Sequence, residues 1–209
     1  MAVINFLADQ LLGVRGRLTR SGTELTRLNT NNADVPVDLI TSVRSGLTIA
    51  RLALNHIALV LSQQLSVPPV LLQVLTRTAL LGAGRVVFAL GPDDPVERDR
   101  NVKIVLQQEG QSYRKGLNAM ADFDQLLGLR PSEDYLSARL QQVQALLSAS
   151  PTPAGEARVL NEMAAGIAKR LATVGKNEAT AAVLGEHIAF IWNVYSGVAH
   201  GFGWPTVHS

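Results

Sequence analysis

The chain contains no cysteine. That absence excludes disulfides, a thiol nucleophile, thiolate zinc sites and iron–sulfur clusters. Charge is scarce as well: Asp, Glu, Lys and Arg make up 17% of the 209 residues, against about 25% in an average soluble domain. Aromatic residues are only 5%, so Leu, Val, Ile and Ala must supply most of any core. Several signatures are missing. There is no P-loop, no Gly-x-Gly-x-x-Gly after a strand, no His-Glu-x-x-His and no Glu-x-x-His. Glu186 and His187 are adjacent, so their side chains diverge on a helix. No metal and no cofactor is expected.

What is present is aliphatic. Apolar residues reach 47% and the mean hydropathy is +0.16. This argues against intrinsic disorder, a collagen-like fibre and a polybasic tail protein. The net charge is +2. Residues 1–115 hold 13 basic and 9 acidic side chains, residues 116–209 hold 6 and 8. That gradient is not the clustered basic face of a nucleic-acid binder. The N-terminus carries Asp9 within its apolar stretch and no basic leader, which makes a poor signal peptide. The longest run without a formal charge, Leu52 to Thr76, is broken by Pro68-Pro69. Neither side of that break supplies the roughly 20 unbroken apolar residues of a membrane span. The expectation is a cytoplasmic chain that does not enter a membrane.

Apolar residues recur with helical spacing throughout. Ile4, Leu7, Leu11, Val14, Leu18, Leu25 and Leu28 step by three and four, which predicts an N-terminal helix over residues 1–30 with a heptad seam suited to packing or dimerisation. Gly13, Gly16 and Gly22 weaken it. Pro36 sits near the start of a second helix, whose seam is Ile40, Val43, Leu47, Ala50, Leu54, Ile57 and Leu61. A second stripe, Ile49, Leu52 and Leu59, makes it apolar on two faces and predicts a central position. A third helix opens at Pro68-Pro69 and runs to about Leu90; its Gly82-Ala83-Gly84 would admit another helix closely. Further helices are predicted at about 95–127, opened by Asp94-Pro95, and at 132–148. A linker at 148–155 precedes two more, around Val159–Leu171 and Leu184–Val198. No strand alternation appears. The fold class is therefore all-α: one domain over 1–209, a bundle of six or seven mostly antiparallel, up-and-down helices.

In so apolar a chain the polar exceptions stand out. Arg77 and Arg85 lie near one face of an apolar helix, and Glu109 falls within the inner stripe of the next. Burying guanidinium costs several kcal/mol unless it is paired. Two readings stay open: a structural Arg–Glu ion pair tying two helices, or an anion or nucleotide-phosphate pocket. A second group is Asn193, Ser196 and His200, sharing one face of the last helix with Glu186. Ser196 and His200 are four residues apart, a minimal nucleophile–base arrangement without an assured orienting acid; the other reading is a structural histidine packed under Trp204. Arg51 and His56 fit a loose Arg-x4-His spacing, but the face His56 shares with Leu52 and Leu59 predicts a core histidine.

Two stretches together resemble a known group. One is Arg77-Thr-Ala-Leu80, Arg85 and the run from Leu90 through Pro92, Asp94 and Glu97 to Arg98 and Arg100. The other is Tyr195-Ser196-x3-His200-Gly201-x2-Trp204. The pairing is similar to uncharacterised all-helical proteins of high-GC Gram-positive bacteria and their phages, themselves distantly similar to the HEPN helical bundles. The resemblance implies dimers, nucleotide binding, or metal-independent RNase activity of the toxin and phage-defence kind. The HEPN hallmark is Arg-x4–6-His; His200 matches its histidine, and no arginine stands at that spacing before it.

The sequence thus points first to a non-enzymatic helical interaction or regulatory protein that self-associates as a homo-oligomer and has a protein partner. The alternatives are a divergent HEPN-like RNase or nucleotide-binding module, with RNA or a nucleotide as partner, and a phage-encoded structural or host-takeover protein.

Overall fold

The computed structural model describes residues 22–122, 132–148, 155–173 and 178–199. Among them the chain is all-helical. The elements are α1 (Glu24–Thr30), α2 (Leu39–Ser62), α3 (Pro69–Leu90), α4 (Pro95–Asp122), α5 (Glu133–Ser148), α6 (Glu156–Thr173) and α7 (Glu178–Ala199). No strand occurs among the described residues. The short α2–α3 and α3–α4 connections force neighbouring helices antiparallel, as an up-and-down bundle requires. The heptad residues 4–18, the linker residues 149–154, and Leu127, His200 and Trp204 lie outside the described residues.

Local chemistry sets the helix starts. Thr23 caps α1, its hydroxyl accepting from the Thr26 amide at 3.3 Å. Gly22 before it takes φ +78°, a left-handed conformation that glycine adopts without penalty. Within the predicted helix over 1–30, the described residues place a capped helix start at Glu24. Asp38 opens α2, its carboxylate accepting from the Thr41 amide at 2.6 Å. A capping aspartate defines this start better than Pro36, so α2 begins three residues later than expected. Asp94 accepts from the Val96 amide at 3.0 Å just as Pro95 enters α4, and Ser132 does the same for Tyr135 in α5.

α3 lies at the centre, packed against α2, α4, α6 and α7. Its two glycines face different partners. A Cβ on Gly46 of α2 would stand 2.9 Å from the Gly82 carbonyl oxygen, and one on Gly84 would stand 2.6 Å from Leu160 of α6. The close approach expected of Gly82-Ala83-Gly84 is thus made twice. The core joins Leu25 and Leu28, Leu39, Val43 and Leu47, Phe88 and Ala89, Val102 and Leu106, Val159 and Leu160, and Trp192. Leu25 and Leu28, the end of the N-terminal seam, are used inside the chain, since α1 packs on α2. Asn101 is buried and donates to the Phe88 carbonyl at 2.9 Å, holding α4 to the end of α3.

α2 is not central, contrary to the expectation from its two apolar faces. Its core seam is buried at Val43, Leu47 and Ala50, but Ile49, Leu52 and Leu59 remain 47%, 49% and 48% exposed. His56 shares that face and is exposed rather than a core residue; its Nδ1 bonds the Leu52 carbonyl at 2.8 Å. The exposed strip continues through the turn at Leu61 and Leu65 and onto α3 at Val70, Leu71 and Val74. By length and composition alone, α2 and α3 are each apolar enough to cross a membrane, a correction to the expectation drawn from the charge-free run.

Candidate functional site

The polar residues singled out on α3 meet their partners across the bundle. Arg85 donates through Nη1 to Glu109 Oε1 on α4 at 2.6 Å, and its Nη2 stands 3.6 Å from Glu156 Oε1 on α6. Arg77, two turns away, donates through Nη2 to Glu156 Oε2 at 3.0 Å. Its guanidinium carbon lies 4.5 Å from the ring centroid of Trp192 on α7. Trp192 is buried, and a desolvated cation–π contact contributes about 2 kcal/mol. A continuous chain of contacts therefore runs Trp192–Arg77–Glu156–Arg85–Glu109, linking α7, α3, α6 and α4. Two guanidinium groups face two carboxylates, so the cluster is neutral. An anion entering here would have to displace a carboxylate already in place.

The Arg85–Glu109 contact is the ion pair that the spacing suggested. Glu156 and Trp192 were not anticipated. Glu156 is the first acid after the linker and opens α6, a position usually credited to the helix dipole alone.

A second charged cluster holds α1 to the start of α4. Glu24 accepts from both Arg27, at 2.8 and 2.7 Å, and Arg98, at 3.0 Å. Arg98 also donates to the Pro92 and Asp93 carbonyls at 2.7 and 3.0 Å, which pins the α3–α4 turn. The hydrogen bond from Arg27, with that from Arg98 against the cost of burial, draws the Glu24 carboxyl down to about 2. Asp38 is also held below the usual carboxylate range: burial opposes this, and hydrogen bonds from the Thr41 side chain and amide outweigh it.

Above α3, between α2 and α4, a cleft of about 820 Å³ opens. Arg77, Arg85, Glu109 and Tyr113 line it, together with aliphatic residues of all three helices. The Tyr113 hydroxyl reaches that of Tyr135 on α5 at 3.5 Å. That hydrogen bond, and then burial, raises the Tyr113 phenol above its ordinary value. The same contact, with Arg139, lowers Tyr135.

The second predicted group is not assembled in the described residues. Asn193 is exposed on α7. The Ser196 side chain and all of His200 lie outside them. Arg77 does reach α7, but at Trp192 and not at Asn193. Among the described residues no three His, Asp or Glu side chains converge as metal ligands would. No protein-family model, curated protein or solved structure matches the chain.

Proposed function

We propose that the chain is a helical interaction protein that self-associates through the outer face of the α2–α3 hairpin. One observation carries this reading: the uncharged run from Leu52 to Thr76 forms the end of the hairpin, and Leu52, Leu59, Leu61, Leu65, Val70, Leu71 and Val74 within it are exposed. On α2 the residues Leu52, His56 and Leu59 step by four and three, the spacing that seats one helix against another. Val70, Leu71 and Val74 extend the strip on α3, and Leu61 and Leu65 lie at the turn. These aliphatic side chains are each between 36% and 51% exposed. A concentration of exposed aliphatic side chains at one end of a helical hairpin is the kind of surface that marks an interaction site.

A second copy fits the patch better than a lipid bilayer does. A surface without formal charge meets its own copy with no like-charge repulsion. Insertion of the hairpin would place Gln63 and Gln64 deepest in hydrocarbon, and α2 and α3 also carry Arg44, Arg51, Arg77 and Arg85.

The absence of native cysteine gives a direct test. A short bis-maleimide should link chains carrying Leu59→Cys and leave chains carrying Val96→Cys unlinked, although Val96 is the more exposed, at 74%. Equal linking of both variants, or flotation of the unsubstituted chain with phosphatidylcholine vesicles, contradicts the reading.

A further inference from the structure

The α2–α3–α4 cleft is a space that the sequence keeps open. α2 and α4 both pack on α3 and meet each other little. The result is a volume of about 820 Å³, within the range of about 300–1,000 Å³ typical of small-molecule pockets. Its floor is aliphatic, with Val43, Leu81, Val86 and Val105. From Arg77 to Ala89 the floor helix runs roughly 18 Å.

Gly116 of α4 lines the cleft, and a Cβ there would meet nothing within 4 Å. Glycine weakens a helix interior relative to alanine. Gly46, Gly82 and Gly84 are needed for close helix approach, and Gly116 has no such neighbour. Ser45 and Ser112 also face the space with short side chains. The cleft opens to solvent, with Ser45, Ile49 and Ser112 exposed along it, and a side chain at Gly116 would narrow it without a clash.

Charge selects what enters. Arg85 and Arg77 are matched by Glu109 and Glu156, and Asp38, at the other mouth, is engaged in capping α2. Charge is balanced, so neither an anionic nor a cationic head finds a surplus counter-charge, whereas the buried Nε groups of Arg77 and Arg85 have no hydrogen-bond partner and leave N–H donors for a neutral oxygen. The Arg85–Glu109 pair and Tyr113 nonetheless offer donors and acceptors partway along the floor, between Leu81 and Val86. We propose that this cleft binds a neutral amphiphile, its apolar body along α3 and a hydroxyl or carbonyl oxygen at the Arg85–Glu109–Tyr113 cluster.

The neutral fluorophore N-phenyl-1-naphthylamine tests this on the full chain. Its fluorescence should rise with saturation at one site per chain. Dodecan-1-ol should displace it at least tenfold more effectively than laurate or dodecyltrimethylammonium. Gly116→Phe, which fills the cleft, should weaken binding at least tenfold with the melting temperature unchanged or raised; if it does not fold, Ser112→Leu serves the same purpose. Leu59→Gln, on the hairpin face, should leave binding unchanged. Absence of saturable binding, indifference to the filling variants, or displacement by laurate as effective as by the alcohol overturns the proposal.

Discussion

Arg85 sits between two acids on different helices, and its environment shows why single substitutions there should be costly. Removing the charge of Glu109 leaves the guanidinium with only Glu156, at 3.6 Å. Glu109→Gln should lower the unfolding free energy by about 1–2 kcal/mol, read from urea titration, because the half-buried cation keeps its desolvation cost and loses its closest partner. The double change Arg85→Met, Glu109→Leu should recover most of that loss, since neither charge then remains to be desolvated. Glu24 gives a pH signature. Its carboxyl is drawn from 4.5 to about 2 in the folded chain, so its contribution is complete above about pH 4.5 and fades as pH falls toward 2. Glu24→Gln should lose that contribution at neutral pH and show a shallower loss of stability between pH 4.5 and 2 in acid titration followed by circular dichroism. At this scale the sequence was informative where charge is rare. Arg77, Arg85 and Glu109 interrupt apolar stripes, and burial of an arginine demands an acid. Glu156 and Trp192 were not legible, because their approach to Arg77 depends on how α6 and α7 fold back on α3, which periodicity within one helix does not encode.

The helices themselves were largely readable, because capping and proline chemistry act over a few residues. Asp94-Pro95 and Pro68-Pro69 mark helix starts that the fold confirms to within a residue. What periodicity misjudged was the place of α2. Two apolar faces show that a helix has two surfaces to cover; they do not show that one chain covers both. α3, apolar with small residues on several sides, is the helix that the others surround. The glycines separate these effects. Gly82→Ala should destabilise the fold by about 1–3 kcal/mol, because its Cβ would meet the Gly46 backbone and helices resist overpacking. Gly116→Ala should instead stabilise it by about 0.5–1 kcal/mol, since the new methyl meets open space and helix propensity improves. Thermal unfolding of the two variants side by side checks both signs; destabilisation of equal size would show that α2 and α3 do not cross at Gly46 and Gly82 as described.

For the molecule as a whole, the neutral five-residue chain of contacts ties α3 to α4, α6 and α7, while the charge-free end of the α2–α3 hairpin, Leu52 to Thr76, stays open to the outside. The heptad seam of residues 4–28 suggested self-association. Its last members, Leu25 and Leu28, are buried within the chain; its earlier members lie outside the described residues, and the open strip lies on α2 and α3. The absolute mass in solution, from light scattering on the intact chain and on Leu52→Glu, Leu59→Glu, tests this most directly. The account predicts twice 22.4 kDa for the unsubstituted chain and 22.4 kDa for the double variant, with unchanged helical circular dichroism. A mass of 22.4 kDa for both at the highest soluble concentration, or a dimer that survives the two glutamates, would contradict it.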